Sequence, residues 1–121
     1  MLQNDQSISE QIQKEFLAEC DEVICTIENL LIEIEQDPQN SQLHTELFRY
    51  VHTLKGSGAA AGFASLSEFT HHLEVVLDRV RTLEITPDAE VIGLLLKSID
   101  CISHHISELN AVTNLIFHIK P

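Results

Sequence analysis

The 121-residue sequence contains few of the residues that interrupt helices. It has four Gly and three Pro, and hardly any stretch in which apolar and polar residues alternate strictly. An all-β fold needs both features, because its turns depend on Gly and Pro and its strands on alternation. No segment reaches the roughly 18 uninterrupted apolar residues of a membrane-spanning helix, and the N-terminus lacks the pattern of a signal peptide. We therefore expect a helical protein that is neither exported nor inserted into a membrane.

Positive charge is also scarce. Seven Lys and Arg residues oppose 19 Asp and Glu residues, which gives a formal net charge of −12 at pH 7. A surface this acidic repels the phosphates of nucleic acids and of anionic lipids. We therefore expect no nucleic acid and no membrane among the partners.

Cysteine is rare and shows no disulfide or metal-binding spacing. The three residues, Cys20, Cys25 and Cys101, make an odd number without a CxxC pair. Two of them lie within the first apolar run, so we expect buried, reduced thiols and a cytoplasmic protein.

The sequence is rich in helical periodicity. Apolar residues at steps of three or four predict a long amphipathic helix from about Ser9 to Glu35, which "DPQNS" then ends. The stripe of this helix comprises Phe16, Leu17, Cys20, Val23, Ile24, Ile27, Leu30, Leu31 and Ile34.

Three further stripes follow. A second helix is predicted after Ser41, a third with Ser65 as its N-cap, and a fourth that opens with Thr86 as the cap and Pro87 in the first turn. Their apolar residues are Leu43, Leu47, Val51 and Leu54, then Leu66, Phe69, Leu73, Leu77 and Val80, then Ile92, Leu95, Leu96, Ile99 and Ile102. The last 16 residues, "ISELNAVTNLIFHIKP", either prolong the fourth helix or form a short fifth one.

Short connections between long amphipathic helices favour antiparallel neighbours. We therefore predict an all-α fold, an up-and-down antiparallel four-helix bundle. A chain of this length forms one domain, residues 1–121, with a core of about residues 9–106.

The stretch "RYVHTLKGSGAAAGF", residues 49–63, is unusual for a helix. A helical projection places His52 opposite the apolar stripe, with Lys55 and Gly56 beside it at the next turn. Glycine there leaves the imidazole uncovered, although an interior glycine costs a helix about 0.5–1 kcal/mol relative to alanine. Lys55 adds a positive charge within reach of a negative group on the ring, and a phosphoryl group is the obvious candidate. Close helix packing and helix termination explain Gly58 and Gly62 better than chemistry does.

"HTLKGSGAAAGF" resembles the motif of histidine phosphotransfer (Hpt) domains: a histidine, then Lys and Gly at the third and fourth positions after it, and a small residue at the tenth, here Gly62. "LLIEIEQDP", "LFRYVHTLKG", "GFASLSEFTHHLEVVLDRVR" and "LLLKSID" are similar, in the same order, to the N-terminal phosphotransfer domain of chemotaxis histidine kinases (CheA). The resemblance covers roughly residues 12–105.

The resemblance implies roles for particular residues. His52 would be the phosphoacceptor, Lys55 would favour its phosphorylated form, and Glu74 would hydrogen-bond the imidazole. His71, one turn before Glu74, matches a histidine typical of the chemotaxis class, although His72 beside it makes that assignment ambiguous. Such a carboxylate fits the chemistry, because it fixes the tautomer of a neutral ring and leaves the other nitrogen free to attack phosphorus.

Phe48 projects near the His52 side of the second helix. It belongs either to the core at the seam with a neighbouring helix or, with Arg49, to a surface on which a response-regulator receiver domain docks. The pattern does not separate these two possibilities.

Seven histidines raise the possibility of a metal site. The adjacent pairs His71–His72 and His104–His105 lack the spacing of three or four residues that chelation on one helix face uses. We therefore expect no metal, and we expect His44, His104, His105 and His118 to be solvated.

We predict a phosphorelay module that receives a phosphoryl group from a histidine kinase ATP-binding domain and passes it to an aspartate of a receiver domain. The sequence lacks a phosphate-cradling loop, so we expect no cofactor, no autonomous catalysis and a kinase supplied from elsewhere. The isolated domain should be a monomer, because the bundle uses every stripe. The alternatives are a helical docking module that handles no phosphate and, less favoured, a metal-binding bundle.

Overall fold

The computed structural model describes residues 2–119, and side chains from residue 8 to residue 118. This part of the chain contains four α-helices and no strand: α1 (Leu2–Gln36), α2 (Ser41–Ala60), α3 (Ala64–Arg81) and α4 (Ala89–Ile119). Each helix packs against the helices before and after it, and α4 closes the bundle against α1. The predicted all-α four-helix bundle is confirmed. The predicted domain limits, Met1 and Pro121, lie outside the described residues.

The core follows the apolar stripe of α1 closely. Eight of its nine predicted members are buried, and Val23 packs against them at the edge. Ile27 and Ile34 are fully buried and belong to the same core cluster as Ile99 and Ile102 of α4. The period of the sequence therefore decides which face of α1 is covered.

The helix starts differ from two of the predictions. Ser65 is not a cap, because α3 begins one residue earlier and its N-cap, Phe63, makes no side-chain bond. Thr86 is not the cap of α4: Asp88 Oδ1 accepts from the Val91 N–H at 2.9 Å. The carboxylate stands at the residue where the helix begins, whereas Thr86 lies before Pro87 and outside it. At α2 the N-cap is Asn40, which accepts from the Gln42 N–H.

The outer helices are longer than the inner ones. The residues that could have formed a fifth helix continue α4 to Ile119, and α1 begins at Leu2 rather than near Ser9. Gln13 Nε2 donates to the carbonyl of Ala61 at 2.9 Å, which places the end of α2 level with Gln13. The first turns of α1 therefore extend beyond α2.

Two glycines shape the end of α2. Gly62 adopts φ +89°, and the N–H groups of Gly62 and Phe63 bond to the carbonyls of Ala59 and Gly58. This hydrogen-bond pattern ends a helix in a left-handed residue, for which glycine is the least strained choice. Gly58 is buried, and an added Cβ would contact Leu66 at 3.5 Å, so this position suits close packing between α2 and α3.

Three predictions about exposure were wrong. Cys20 is buried, but Cys25 and Cys101 are exposed. Phe69 is 44% exposed because Thr70, which bonds back to the Leu66 carbonyl, occupies the buried position of α3 instead. His44 is buried, because its ring packs against the connection between α1 and α2. Its Nε2 lies 2.7 Å from the Pro38 carbonyl, within hydrogen-bond distance. None of the described helices is long and apolar enough to cross a membrane.

Candidate functional site

The seam between α2 and α3 brings His52 and Glu74 together. The His52 side chain is 61% exposed, whereas Glu74 is almost fully covered. His52 Nδ1 lies 2.6 Å from Glu74 Oε2. Because an ionised carboxylate only accepts hydrogen bonds, Nδ1 carries the proton and donates it. The other ring nitrogen, Nε2, is therefore left with a lone pair on an exposed ring.

Lys55 occupies the second oxygen of the same carboxylate. Its Nζ donates to Glu74 Oε1 at 2.8 Å, and the Lys55 side chain is about three-quarters covered. The ammonium is therefore paired with Glu74 in this structure and lies one helical turn from His52. Each oxygen of the buried carboxylate has one donor from α2.

These contacts keep Glu74 charged. Burial by itself would raise the pKa of Glu74, but the hydrogen bonds from Lys55 and His52 and the positive charge of Lys55 lower it further than burial raises it. The pKa of Glu74 therefore lies below its ordinary value of 4.5. The carboxylate is ionised at neutral pH, as an acceptor of two hydrogen bonds must be.

The structure separates His71 from His72. His71 Nδ1 lies 3.8 Å from Glu74 Oε1, which is too long for a hydrogen bond and within reach of an ion pair when the ring is protonated. His72, on the adjoining face, lines an apolar cavity between α3 and α4 with Phe69. Only His71 belongs to the site.

Phe48 and Arg49 have different surroundings. The Phe48 ring is half-buried and lies parallel to the His52 imidazole, with centroids 6.3 Å apart and an interplanar angle of 8°. Arg49 lies over the ring of Tyr50 instead. Phe48 therefore packs against the core and also lies beside His52, while a role of Phe48 and Arg49 in docking a receiver domain stays a prediction.

Arg81 is a contact that sequence reasoning missed. Its guanidinium lies 5.4 Å from the centroid of the Phe48 ring and forms an ion pair with Asp78. Arg81 stands near the end of α3, 33 positions after Phe48. No spacing rule connects residues so far apart, and a locally less acidic composition was the only signal.

The surface around His52 is open. Gly56 is exposed, and an added Cβ would meet nothing within 4 Å, so no neighbouring atom of this chain requires a glycine there. A cleft of about 490 Å³ borders the site beside Phe48 and Glu74, and another of about 420 Å³ borders it beside Lys55 and His71. Residues 8–118 contain no cluster of three side chains suited to hold a metal ion.

Comparisons with known proteins identify the family of this chain. The family model described as "Hpt domain" matches residues 11–111. The chemotaxis protein CheA of Treponema pallidum is 40% identical over 94 residues, which is 78% of this chain. That stretch is 12% of the Treponema protein, so the chain spans about an eighth of the length of this curated relative.

Solved structures show the same fold. The CheA phosphotransferase domain from Thermotoga maritima superposes with a TM-score of 0.74 at 29% identity, covering 83% of this chain and 95% of that domain. The solution structure of a histidine phosphotransfer domain of CheA gives a TM-score of 0.64 at 26% identity, covering 93% of this chain and 80% of that one.

Proposed function

The chain belongs to the Hpt domain family, phosphotransfer modules of two-component signalling, and we propose that His52 is its phosphoacceptor. His52 receives a phosphoryl group from the ATP-binding domain of a histidine kinase and transfers it to an aspartate of a response-regulator receiver domain. The observation that carries this proposal is the bond between Nδ1 and Glu74, which leaves Nε2 as the exposed nucleophile.

The first step needs no proton transfer. The Nε2 lone pair attacks the γ-phosphorus of ATP, an N–P bond forms, and the bond from phosphorus to the bridging oxygen breaks, so that ADP leaves with the electron pair. Nδ1 keeps its proton throughout. The ring thereby gains positive charge, and the carboxylate of Glu74, 2.6 Å away, stabilises it.

The second step reverses the first. A carboxylate oxygen of the receiver attacks phosphorus, the N–P bond breaks, and its electron pair returns to Nε2. The ring is again neutral with its proton on Nδ1, so the cycle restores the starting state without a base. Glu74 holds one tautomer for both steps.

Lys55 and His71 surround the carboxylate on the side away from His52. The ammonium of Lys55 limits the negative charge that an incoming phosphoryl group meets, and by rotation of its side chain it reaches the phosphoryl oxygens. His71, when protonated, adds a second positive charge near Oε1. Both residues favour the phosphorylated state.

The module depends on other domains for delivery and removal. The kinase belongs to the rest of a longer chemotaxis kinase or to a separate sensor kinase. Phe48 with the cleft beside it, and the bare backbone at Gly56, form the surface against which a partner domain packs. We propose that residues 1–121 act as a single, monomeric domain in the cytoplasm, where ATP is available.

The test is phosphorylation by a CheA kinase core that lacks its own phosphotransfer domain, with radiolabelled ATP. We expect wild type and His104→Gln to be labelled and His52→Gln to remain unlabelled, because His104 is exposed on α4, away from Glu74. The label should resist alkali, be lost in acid, and pass to an added receiver domain. Equal labelling of His52→Gln contradicts the proposal, and absence of label from all three proteins supports a docking module that handles no phosphate.

A further inference from the structure

Three side chains from two helices form a stack beside the phosphoryl site. The imidazole of His52 lies parallel to the ring of Phe48, and the guanidinium of Arg81 lies over the Phe48 ring. Only Phe48 contacts both of the others.

A hydrogen bond alone does not fix an imidazole. The bond from Nδ1 to Glu74 sets one edge of the ring, but the ring still pivots about the line of that bond. Phe48, one helical turn before His52, lies parallel to the imidazole, with 6.3 Å between the centroids and an interplanar angle of 8°. A hydrogen bond at one edge of the imidazole and a parallel aromatic ring beside it together restrict the direction in which Nε2 points.

Phe48 is itself held in place. It packs partly against the core cluster, and Arg81, which is tied to Asp78 on the same helix, lies 5.4 Å from the centroid of its ring. A cation over an aromatic face is attracted to it. The ring therefore does not swing into solvent, where the imidazole would lose its contact.

We propose that Phe48 is a positioning residue for phosphoryl transfer, which it promotes by holding the exposed nitrogen of His52 in its reactive direction, and that Arg81 keeps Phe48 in place. The inference rests on the proposed function of His52. The face of Phe48 also favours the ring more once it carries positive charge. The contact is then stronger in the transition state than in the ground state, which is the condition for a rate effect.

A small phosphodonor separates positioning from docking. Phosphoramidate transfers its phosphoryl group to Nε2 with loss of ammonia and needs no partner domain. If Phe48 positions the ring, Phe48→Leu slows phosphorylation by phosphoramidate about threefold to tenfold, the range that an aromatic contact supplies. It should slow the kinase reaction by a similar factor in kcat, with KM for the domain changed less.

The controls separate this effect from a loss of packing. Phe48→Tyr keeps the aromatic face and should restore the rate. Phe69→Leu removes an equal volume from a phenylalanine that lines the cavity between α3 and α4, and should leave the rate unchanged. Proton–nitrogen correlation spectra of the neutral His52 ring should show the Nδ1-protonated tautomer in wild type and in Phe48→Leu alike, because the bond to Glu74 is kept and only the direction of the ring changes.

Three results overturn the inference. Phe48→Leu reacts with phosphoramidate at the wild-type rate, Phe48→Leu is slowed only when the kinase is the donor, or Phe69→Leu is slowed as much as Phe48→Leu. If thermal melting shows that Phe48→Leu is unfolded, Arg81→Gln replaces it. Because Arg81 is half exposed, Arg81→Gln should leave the melting temperature unchanged and decrease the rate less than Phe48→Leu would. An unchanged rate of Arg81→Gln contradicts the proposal. Label on a residue other than His52 is a failure of the proposed function, whereas label on His52 at equal rates is a failure of this inference alone.

Discussion

The α2–α3 seam and the α1–α4 seam are built from the same kind of amphipathic helix and differ in what they bury. α1 and α4 pack together and contribute buried aliphatic side chains such as Ile27 and Ile99 to the core. Between α2 and α3 lies Glu74, the only buried carboxylate among the side chains described. The α1–α4 seam is thus apolar, whereas the α2–α3 seam buries a charged carboxylate as well as apolar side chains.

The α2–α3 seam tolerates this charge because its partners are complete. Both oxygens of Glu74 have donors, and no buried polar side-chain atom in the described part of the chain lacks a hydrogen bond. A buried charge without such partners would cost several kcal/mol. We therefore expect that different substitutions can change the stability of the fold and the rate of phosphoryl transfer separately. Four predictions test this expectation.

The largest effect should come from the α1–α4 seam. Ile27→Ala should lower the free energy of unfolding by about 2–5 kcal/mol, because Ile27 is fully buried and its loss leaves a cavity. Urea denaturation followed by circular dichroism measures this change. The phosphorylation rate of the folded variant should equal that of wild type.

Ile32 provides the matched control on the same helix. It is 48% exposed, so Ile32→Ala should change the free energy of unfolding far less. A slow but fully folded Ile27→Ala would show that the two seams are coupled.

Glu74→Gln should act on the other seam. Glutamine keeps the shape and an acceptor for Nδ1, but it cannot stabilise the positive charge that the ring gains. We expect phosphorylation to slow about 10-fold to 100-fold, the range found when a group that orients a reactive histidine is lost. The rate measured under single-turnover conditions, with helical content from circular dichroism beside it, checks the prediction. Loss of helical content would mean that Glu74 is a structural acid.

The stability that Glu74 contributes should depend on pH. Its pKa in the folded protein lies below the ordinary value of 4.5, so the carboxylate stays ionised where the unfolded chain binds a proton. The contribution is complete above about pH 4.5 and disappears as the pH falls through the folded pKa. The difference in unfolding free energy between wild type and Glu74→Gln should therefore be constant near neutral pH and shrink in acid.

Urea titrations over a series of pH values measure that difference. Glu68→Gln, at an exposed position of the same helix, corrects for the general loss of stability in acid. A difference between wild type and Glu74→Gln that persists unchanged to low pH would show that the lowered pKa does not contribute to folding.

The smallest effects concern two glycines of α2 and should have opposite signs. Gly56→Ala should raise the free energy of unfolding by about 0.5–1 kcal/mol, because alanine suits a helix and its Cβ meets no atom. Gly62→Ala should lower it by about 1 kcal/mol, since φ at this position is +89°. Thermal melting distinguishes the two.

Phosphorylation tests whether Gly56 gives the partner domain access to His52. If the glycine serves access, Gly56→Leu should slow transfer from the kinase while phosphoramidate still reacts at a normal rate. An unchanged rate of Gly56→Leu with the kinase would leave Gly56 without a role in docking.

Much of the fold could be predicted because it is local. The stripe of α1 and the outward position of His52 follow from a period of 3.6 residues, which does not depend on neighbouring helices. The errors arose where a second element decides. His44 is buried by the connection that precedes α2, and Phe69 is exposed because α3 turns Thr70 toward its neighbours. The predicted caps Ser65 and Thr86 were wrong, because the observed caps, Phe63 and Asp88, each lie two residues away.

Glu74 was identified by resemblance, and nothing in the spacing from His52 required it. The two residues are 22 positions apart on different helices. Their distance of 2.6 Å depends on how far α3 slides and rotates against α2, which no periodicity encodes.

By itself, the sequence determined the helices, their buried faces and the shared surface of His52, Lys55 and Gly56, since neighbours along one helix are set by its geometry. Only the tertiary structure decided which oxygen of Glu74 meets His52, that Lys55 is already paired, and that Arg81 of α3 reaches the ring of Phe48. These contacts join side chains from separate helices. They depend on the packing of the whole core, which sets the offset between α2 and α3 and with it the direction of the reactive nitrogen.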